Sequence, residues 1–366
     1  MLKPSDQFHG SDLEKIEALY GIPKENIVSF SANVNPLGLS PQFKEKLSSQ
    51  LDVITSYPDR TYRRLRETIA GYCGAESSHI IVGNGSTELI SLIIQLRKPK
   101  KALILGPTYS EYEREVRLSG GCCTYFPLNE TADFALEEEK LTETLQQEID
   151  LFILCNPNNP TSSLITSDRL RSIVETCRRR HIFVMVDETY MEFVGSEETA
   201  AAVPLTGQYD NLAVLRGVSK FFASPGLRLG YAVTSDAALI NAAAERQNPW
   251  TVSSIAEAAG RLLFTDKTYI RQTKELIGSQ RQYIYQTLSQ TENVKVYPPH
   301  ANFILVRLLK EERTASDLFD MAIRRGMMIR NCATFPFLDE HYFRFCFMLP
   351  EDNDRLLACI GEFLAG

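Results

Sequence analysis

Asn211-Leu-Ala-Val-Leu-Arg-Gly-Val-Ser-Lys220-Phe-Phe-Ala-Ser-Pro-Gly-Leu-Arg228-Leu-Gly-Tyr231 holds a strand-like run, a lysine just past its end and an arginine eight residues further on. Such a lysine can hold an aldehyde cofactor, because a Schiff base needs an amine that can lose its proton. The guanidinium suits a phosphate. Taken alone, Ser219-Lys220 means little, since most lysines are solvated surface residues. Four other segments bear on the reading.

Upstream of this stretch, short β-branched runs recur at 79–83, 102–105, 122–126, 151–154 and 182–187, and the stretch itself adds 212–215 and 228–233. Helical patterns separate them, among them 86–96 and 167–180. This alternation predicts an α/β fold with a mostly parallel seven-stranded sheet covered by helices on both faces. From about Asp236 the pattern changes to a long helical stretch, 253–290, then strand 301–307, helix 315–325, strands 327–331 and 342–348, and a last helix from Glu351. A smaller α+β domain is expected there. A length of 366 residues also favours two domains.

Composition narrows the class. The chain is 44% hydrophobic and 23% charged, ordinary for a globular protein. Its charge of −7 argues against nucleic-acid binding, which wants a basic face. The densest basic cluster, Arg178-Arg-Arg180, ends an expected helix, where cations suit the dipole. No run approaches the ~20 apolar residues of a membrane span, and the N-terminus leads into a charged segment, so a cytoplasmic protein is expected. Eight cysteines lack Cys-x-x-Cys spacing and read as reduced thiols. No metal-ligand set is read.

In open α/β sheets ligands bind beyond the carboxyl ends of the strands, and the unusual residues fall there. Gly83-Asn-Gly85-Ser86-Thr87-Glu88 opens a helix and can cradle a phosphate, or simply cap that helix. Gly106-Pro-Thr-Tyr109 presents an aromatic that is either a turn residue or a stacking platform. Cys155-Asn-Pro-Asn-Asn159-Pro-Thr161 is a rigid turn whose amides can donate to a ligand. Asp187-Glu-Thr-Tyr190 ends a wholly apolar run, and its carboxylate needs a partner: a cationic ring nitrogen or an arginine. With Lys220, these converge on a planar, phosphate-bearing, aldehyde-reactive cofactor with a ring nitrogen, a description that pyridoxal 5'-phosphate meets.

Through Asn156-Pro-Asn-Asn-Pro-Thr161, Asp187-Glu-Thr-Tyr190, Ser219-Lys220 and Gly226-Leu-Arg-Leu-Gly-Tyr231, the chain resembles the fold-type I, class I/II aminotransferase superfamily over nearly its whole length. The resemblance implies that Lys220 carries the cofactor and moves protons, and that Asp187 keeps the pyridine nitrogen protonated. Tyr190 and Asn159 would bond the phenolic oxygen, and Tyr109 would stack on the ring. Gly85, Ser86, Thr87, Ser219 and Arg228 would hold the phosphate. Tyr57 would reach the cofactor of a neighbouring subunit, which implies a homodimer with shared sites. Arg344 would clamp the substrate carboxylate, with Arg330 a second anion ligand. Gly217, Ser162 and Thr189 depart from the usual serine, glycine and alanine.

His9-Gly-Ser-Asp12 followed by Phe30-Ser-Ala-Asn33-Val-Asn-Pro-Leu-Gly38 resembles the N-terminal segment of the L-threonine-O-3-phosphate decarboxylases of cobalamin biosynthesis, relatives of histidinol-phosphate aminotransferases. Ser11 departs from that pattern. The segment's bland alternative is an entry segment rich in turn dipeptides. The resemblance implies that residues 1–40 lie over the site, 41–245 bind the cofactor, and 246–366 form the linking helix and small domain. His9 and Asn33 would receive a substrate phosphate. The expected activity is that of a carboxy-lyase, making (R)-1-aminopropan-2-ol O-phosphate from L-threonine O-3-phosphate. Aminotransfer is the alternative. A non-catalytic regulator on the same scaffold would be marked by loss of Lys220 or Asp187 or by a DNA-binding segment, and the chain shows neither mark.

Overall fold

All seven expected runs pair into one sheet in the computed structural model, which describes residues 12–366. After a short strand β1 (Val28–Ser29), the sheet comprises β2 (Ile80–Gly83), β3 (Lys101–Gly106), β4 (Cys122–Pro127), β5 (Leu151–Cys155), β6 (Phe183–Asp187), β7 (Leu212–Gly217) and β8 (Gly230–Val233). Their spatial order is β2-β8-β7-β6-β5-β3-β4. β8 runs antiparallel to both neighbours, and the other pairings are parallel. β5, β6 and β7 are buried along their whole length, which is why they read as continuous apolar runs.

This topology positions the site. The ends of β2, β3, β5, β6 and β7 share one edge of the sheet, and so do the turns that follow them. Because β8 is reversed, its beginning lies at that edge too: Gly230 pairs with both Gly83 and Gly217. Arg228, which precedes β8, is thereby brought to the turn after β2.

A second, antiparallel sheet has the order β12-β13-β10-β9, from β9 (Val294–Val296), β10 (Phe303–Leu308), β12 (Arg330–Asn331) and β13 (Tyr342–Cys346). Two expectations are corrected here. The stretch 253–290 is two helices, Ser254–Leu263 and Lys267–Ser289. The break arises because the Asp266 side chain accepts from Tyr269 N at 3.0 Å and starts a new helix. Residues 327–331 are likewise two short strands: β11 (Met327–Met328) pairs with β1, whereas Arg330–Asn331 pair with β13. One continuous apolar core runs under both sheets. All eight cysteines are free thiols, and among the described residues no helix is long and apolar enough to cross a membrane.

Behind the ends of β6 and β7 lies a buried ionic cluster that periodicity could not show. Arg216 Nη2 and Nη1 lie 2.8 Å from Glu188 and 2.8 Å from Glu197, and Lys274 also pairs with Glu197, at 3.0 Å. Glu192 is fully buried beside them with neither carboxyl oxygen bonded among the described residues, and burial pushes it up to about 8. Arg216→Met is expected to cost about 3–5 kcal/mol, because it leaves Glu188 buried without its cation. Chemical denaturation checks this, and a loss under about 1 kcal/mol would show that the cluster does not depend on Arg216.

Candidate active site

Lys220 sits past β7 on a loop that residues 30–38 clamp from above. Its Nζ donates to Ala32 O at 2.6 Å, Asn35 N donates to Lys220 O at 3.0 Å, and Asn35 Nδ2 donates to Phe221 O at 2.8 Å. Burial, then the charges of Arg344 and Arg228, lower the ammonium to about 8. That shift makes the amine reactive near neutral pH. Capture of pyridoxal phosphate by cofactor-free protein is accordingly expected to accelerate about fivefold from pH 7 to 8 and to level off above about pH 9. Stopped-flow absorbance tests this. A rate still climbing tenfold per unit near pH 10 would mean that the lysine is unperturbed.

Asp187 ends β6 and is buried. Tyr112 OH donates to its Oδ2 at 2.6 Å, while Thr189 N at 2.9 Å and Thr189 Oγ1 at 2.5 Å donate to Oδ1. Tyr112, bonded to the candidate Asp187, is a residue that the sequence patterns do not single out. Its only signal is its place three residues after Tyr109, which it meets edge-on at 5.6 Å. Thr189, singled out as a departure, adds a hydroxyl to the carboxylate. Tyr109 is half-buried and hydrogen-bonded to Thr87, and burial raises it to about 12.

The candidate phosphate cradle is built on glycines. Gly85 holds φ +82, and a Cβ there would meet Arg228 Nη2 at 2.5 Å; one on Gly230 would meet Ser86 N at 2.5 Å. Helix Ser86–Arg97 starts without a side-chain cap, and the exposed Arg228 guanidinium lies against its N-cap glycine, Gly85. An anion fits there. Gly217 borders the same place, its Cβ direction passing 3.9 Å from Ser86 Cβ and 3.3 Å from Leu229 O. Ser219 is half-buried immediately before Lys220.

On the opposite side, Tyr190 OH accepts from Asn33 Nδ2 at 3.3 Å, and burial pushes the phenol up so that it stays a donor. Arg344 Nη1 donates to Asn159 Oδ1 in a very short contact, and its Nη2 donates to Ser31 O at 2.7 Å. With its oxygen taken, Asn159 has its amide hydrogens left for a ligand. Arg344 Nε, Asn33 Oδ1 and Thr108 Oγ1 are buried without a partner among the described residues, as expected of groups that receive a bound molecule. Arg330 is half-buried and stands directly opposite Arg344 across β12 and β13. Tyr57 lies apart on the surface, 79% exposed and stacked on Trp250 at 4.5 Å. His9 lies outside the described residues.

A protein-family model, Aminotransferase class I and II, matches residues 25–360. The chain belongs to this family. A threonine-phosphate decarboxylase of Salmonella typhimurium is 34% identical over 358 residues, covering 98% of this chain and 97% of the relative. Among solved structures, the histidinol-phosphate aminotransferase of Clostridium acetobutylicum is similar with TM-score 0.86 and 30% identity, over 92% of this chain and 98% of that one. The fold is also that of the Sinorhizobium meliloti histidinol-phosphate aminotransferase in complex with pyridoxal 5'-phosphate, with TM-score 0.85 and 21% identity over 100% and 97% of the chains. This aminotransferase-superfamily chain is thus a pyridoxal-phosphate-dependent enzyme, and the uncapped helix start, the glycines, the depressed lysine and the anchored Asp187 fit that cofactor.

Proposed function

We propose that the enzyme decarboxylates L-threonine O-3-phosphate to (R)-1-aminopropan-2-ol O-phosphate, a step of cobalamin biosynthesis, as a cytoplasmic homodimer. The observation that carries this reading is the 34% identity to a threonine-phosphate decarboxylase over 98% of this chain and 97% of the relative; Arg330 and Arg344, opposite each other on adjacent strands, are compatible with it. Like charges placed so repel unless anions offset them; the Asp12 carboxylate acts on Arg330, and a substrate carboxylate can lie against Arg344. A substrate with both a carboxylate and a phosphate can satisfy two guanidiniums, as can the dicarboxylate 2-oxoglutarate in the aminotransfer alternative, so the pair suits either substrate set. The aminotransferase reading keeps its support from the 30% identical solved structure.

When bound, pyridoxal phosphate supplies an aldehyde that takes the substrate amine and a ring that accepts the electrons of one broken bond to Cα. In this reading Ser86, Thr87, Ser219 and Arg228 hold the cofactor's phosphate, Asp187 keeps the proton on the ring nitrogen, and Tyr190 with Asn159 donates to the phenolic oxygen. Lys220 holds the aldehyde and later moves a proton at Cα. Arg344 would hold the carboxylate end and Arg330, His9 and Asn33 the distal phosphate, a two-point hold that would favour breaking the carboxylate bond over the Cα hydrogen. Residues 1–40, 41–245 and 246–366 then act as cover, cofactor unit and small unit. The exposed Tyr57, with Leu51 and Ile54 also exposed near it, suits the homodimer, in which Tyr57 reaches the partner's cofactor phosphate.

Separate incubation with L-threonine O-3-phosphate and with histidinol phosphate plus 2-oxoglutarate tests the reading. Carbon dioxide from the first is expected. Glutamate from the second without carbon dioxide from the first would overturn it in favour of aminotransfer. Asn33→Ala is expected to raise KM for the phosphorylated substrate about tenfold and leave cofactor attachment intact, as loss of one hydrogen bond to a charged group predicts.

A further inference from the structure

Phe337 holds φ +68, a conformation in which a bulky side chain is an outlier, and its ring is 55% exposed. Neither local preference nor full burial accounts for an aromatic there. What it touches does. The ring meets Tyr125 of β4 edge-on, with centroids 5.9 Å apart and planes at 80°. Tyr125 is itself fixed, its hydroxyl donating to Glu113 at 2.8 Å. Gly106, at the end of β3, lies against both rings: a Cβ there would stand 2.8 Å from Tyr125 Cδ1 and 3.3 Å from Phe337 Cε2. Gly106 begins the turn that presents Tyr109.

The other end of the same short segment holds the substrate side. Arg330 Nη2 donates to Thr334 Oγ1 at 3.0 Å, and its guanidinium lies 5.5 Å from the centroid of the Phe335 ring. Between them the backbone is folded tightly, with Phe335 N donating to Cys332 O at 3.0 Å and Leu338 N to Phe335 O at 3.2 Å. Residues 332–338 therefore form a stiff bridge from the anion-binding arginine to the strand end that carries the cofactor platform.

We propose that Phe337 and Tyr125 are positioning residues: their contact docks residues 332–338 on the large sheet and so sets Arg330 at the distance from Tyr109 that a phosphorylated substrate spans. This rests on the proposed phosphate role of Arg330. Neither residue touches the reacting atoms, so their loss loosens substrate and leaves cofactor attachment and the chemical step alone. Backbone strain kept for a side chain's placement is the pattern of a functional constraint.

The test uses holoenzyme variants Phe337→Gly, Phe337→Tyr, Tyr125→Leu and the double variant Phe337→Gly/Tyr125→Leu, measured for KM and kcat with L-threonine O-3-phosphate, for the cofactor absorbance and for Tm. Phe337→Gly is expected to raise KM at least about fivefold with kcat within about twofold, and the double variant no further than either single one, as for two residues acting through one contact. Phe337→Tyr should restore KM to within about twofold of the parent. Glycine accepts φ +68 without strain, so Tm of Phe337→Gly should not fall by more than about 2 °C. An unchanged KM, additive effects in the double variant, or a KM rise accompanied by a large fall in Tm overturns the proposal. Should the parent enzyme instead make glutamate from histidinol phosphate, that result overturns the decarboxylase reading alone. The same comparison then runs on KM for histidinol phosphate with the same criteria.

Discussion

Lys220→Ala enzyme is expected to hold no pyridoxyl group after borohydride treatment and to lose turnover by at least about 10³-fold, since in the proposed reading one side chain supplies both the covalent anchor and the proton transfer. The parent protein should be yellow and should give a single pyridoxyl-labelled peptide containing Lys220. The structure explains why this amine among the chain's lysines is suited. It is recessed beneath residues 30–38, held by Ala32 O at 2.6 Å, and depressed to about 8 by burial and by two guanidiniums. Peptide mass spectrometry is the measurement. A label on any other lysine, or none in cofactor-saturated parent protein, would remove Lys220 from its role.

Asp187→Ala is the second large effect, a loss on the order of 10²–10³ in kcat, the size seen when one preorganised electrostatic group is removed from a transition state. Covalent attachment of the cofactor should survive, so the absorbance of the bound cofactor separates lost chemistry from lost binding. Asp187 is oriented by Tyr112 and by Thr189, each donating to a different carboxylate oxygen. Tyr112→Phe and Thr189→Ala each remove one such bond and should cost at most about tenfold, with the carboxylate itself still present. Near-normal turnover in cofactor-saturated Asp187→Ala would show that the enzyme does not need a negative charge at the ring nitrogen.

Both of these residues are legible in the amino-acid sequence alone. Lys220 and Asp187 each follow an apolar run, and a charged residue at the end of a buried strand stands out against its neighbours. The seven runs of the large sheet are equally visible, because a strand covered on both faces is apolar throughout. The small sheet is less so. β9 is only three residues long, and residues 327–331 change partner in mid-run, from β1 to β13, which no alternation can signal. The expected helix over 253–290 overlooks Asp266 as a cap, since its side-chain acceptance is a local event inside an otherwise helical pattern.

What the sequence by itself determined is the set of elements and the chemistry at their ends: apolar period, turn residues and helix starts are encoded within a few neighbours. What only the tertiary structure decided is which distant groups meet. Tyr112 reaches Asp187 because β3 and β6 flank β5 in the same sheet, and Arg228 reaches Gly85 because β8 runs backwards beside β2. Arg344 reaches Asn159, 185 residues away, and Arg330 faces Arg344 through the register of two short strands. Phe337 finds Tyr125 across the gap between the two sheets. Strand order and register arise from burying the whole apolar surface at once, a global optimum with no local signature, and the hydrogen bonds and charge pairs of the site follow from that packing.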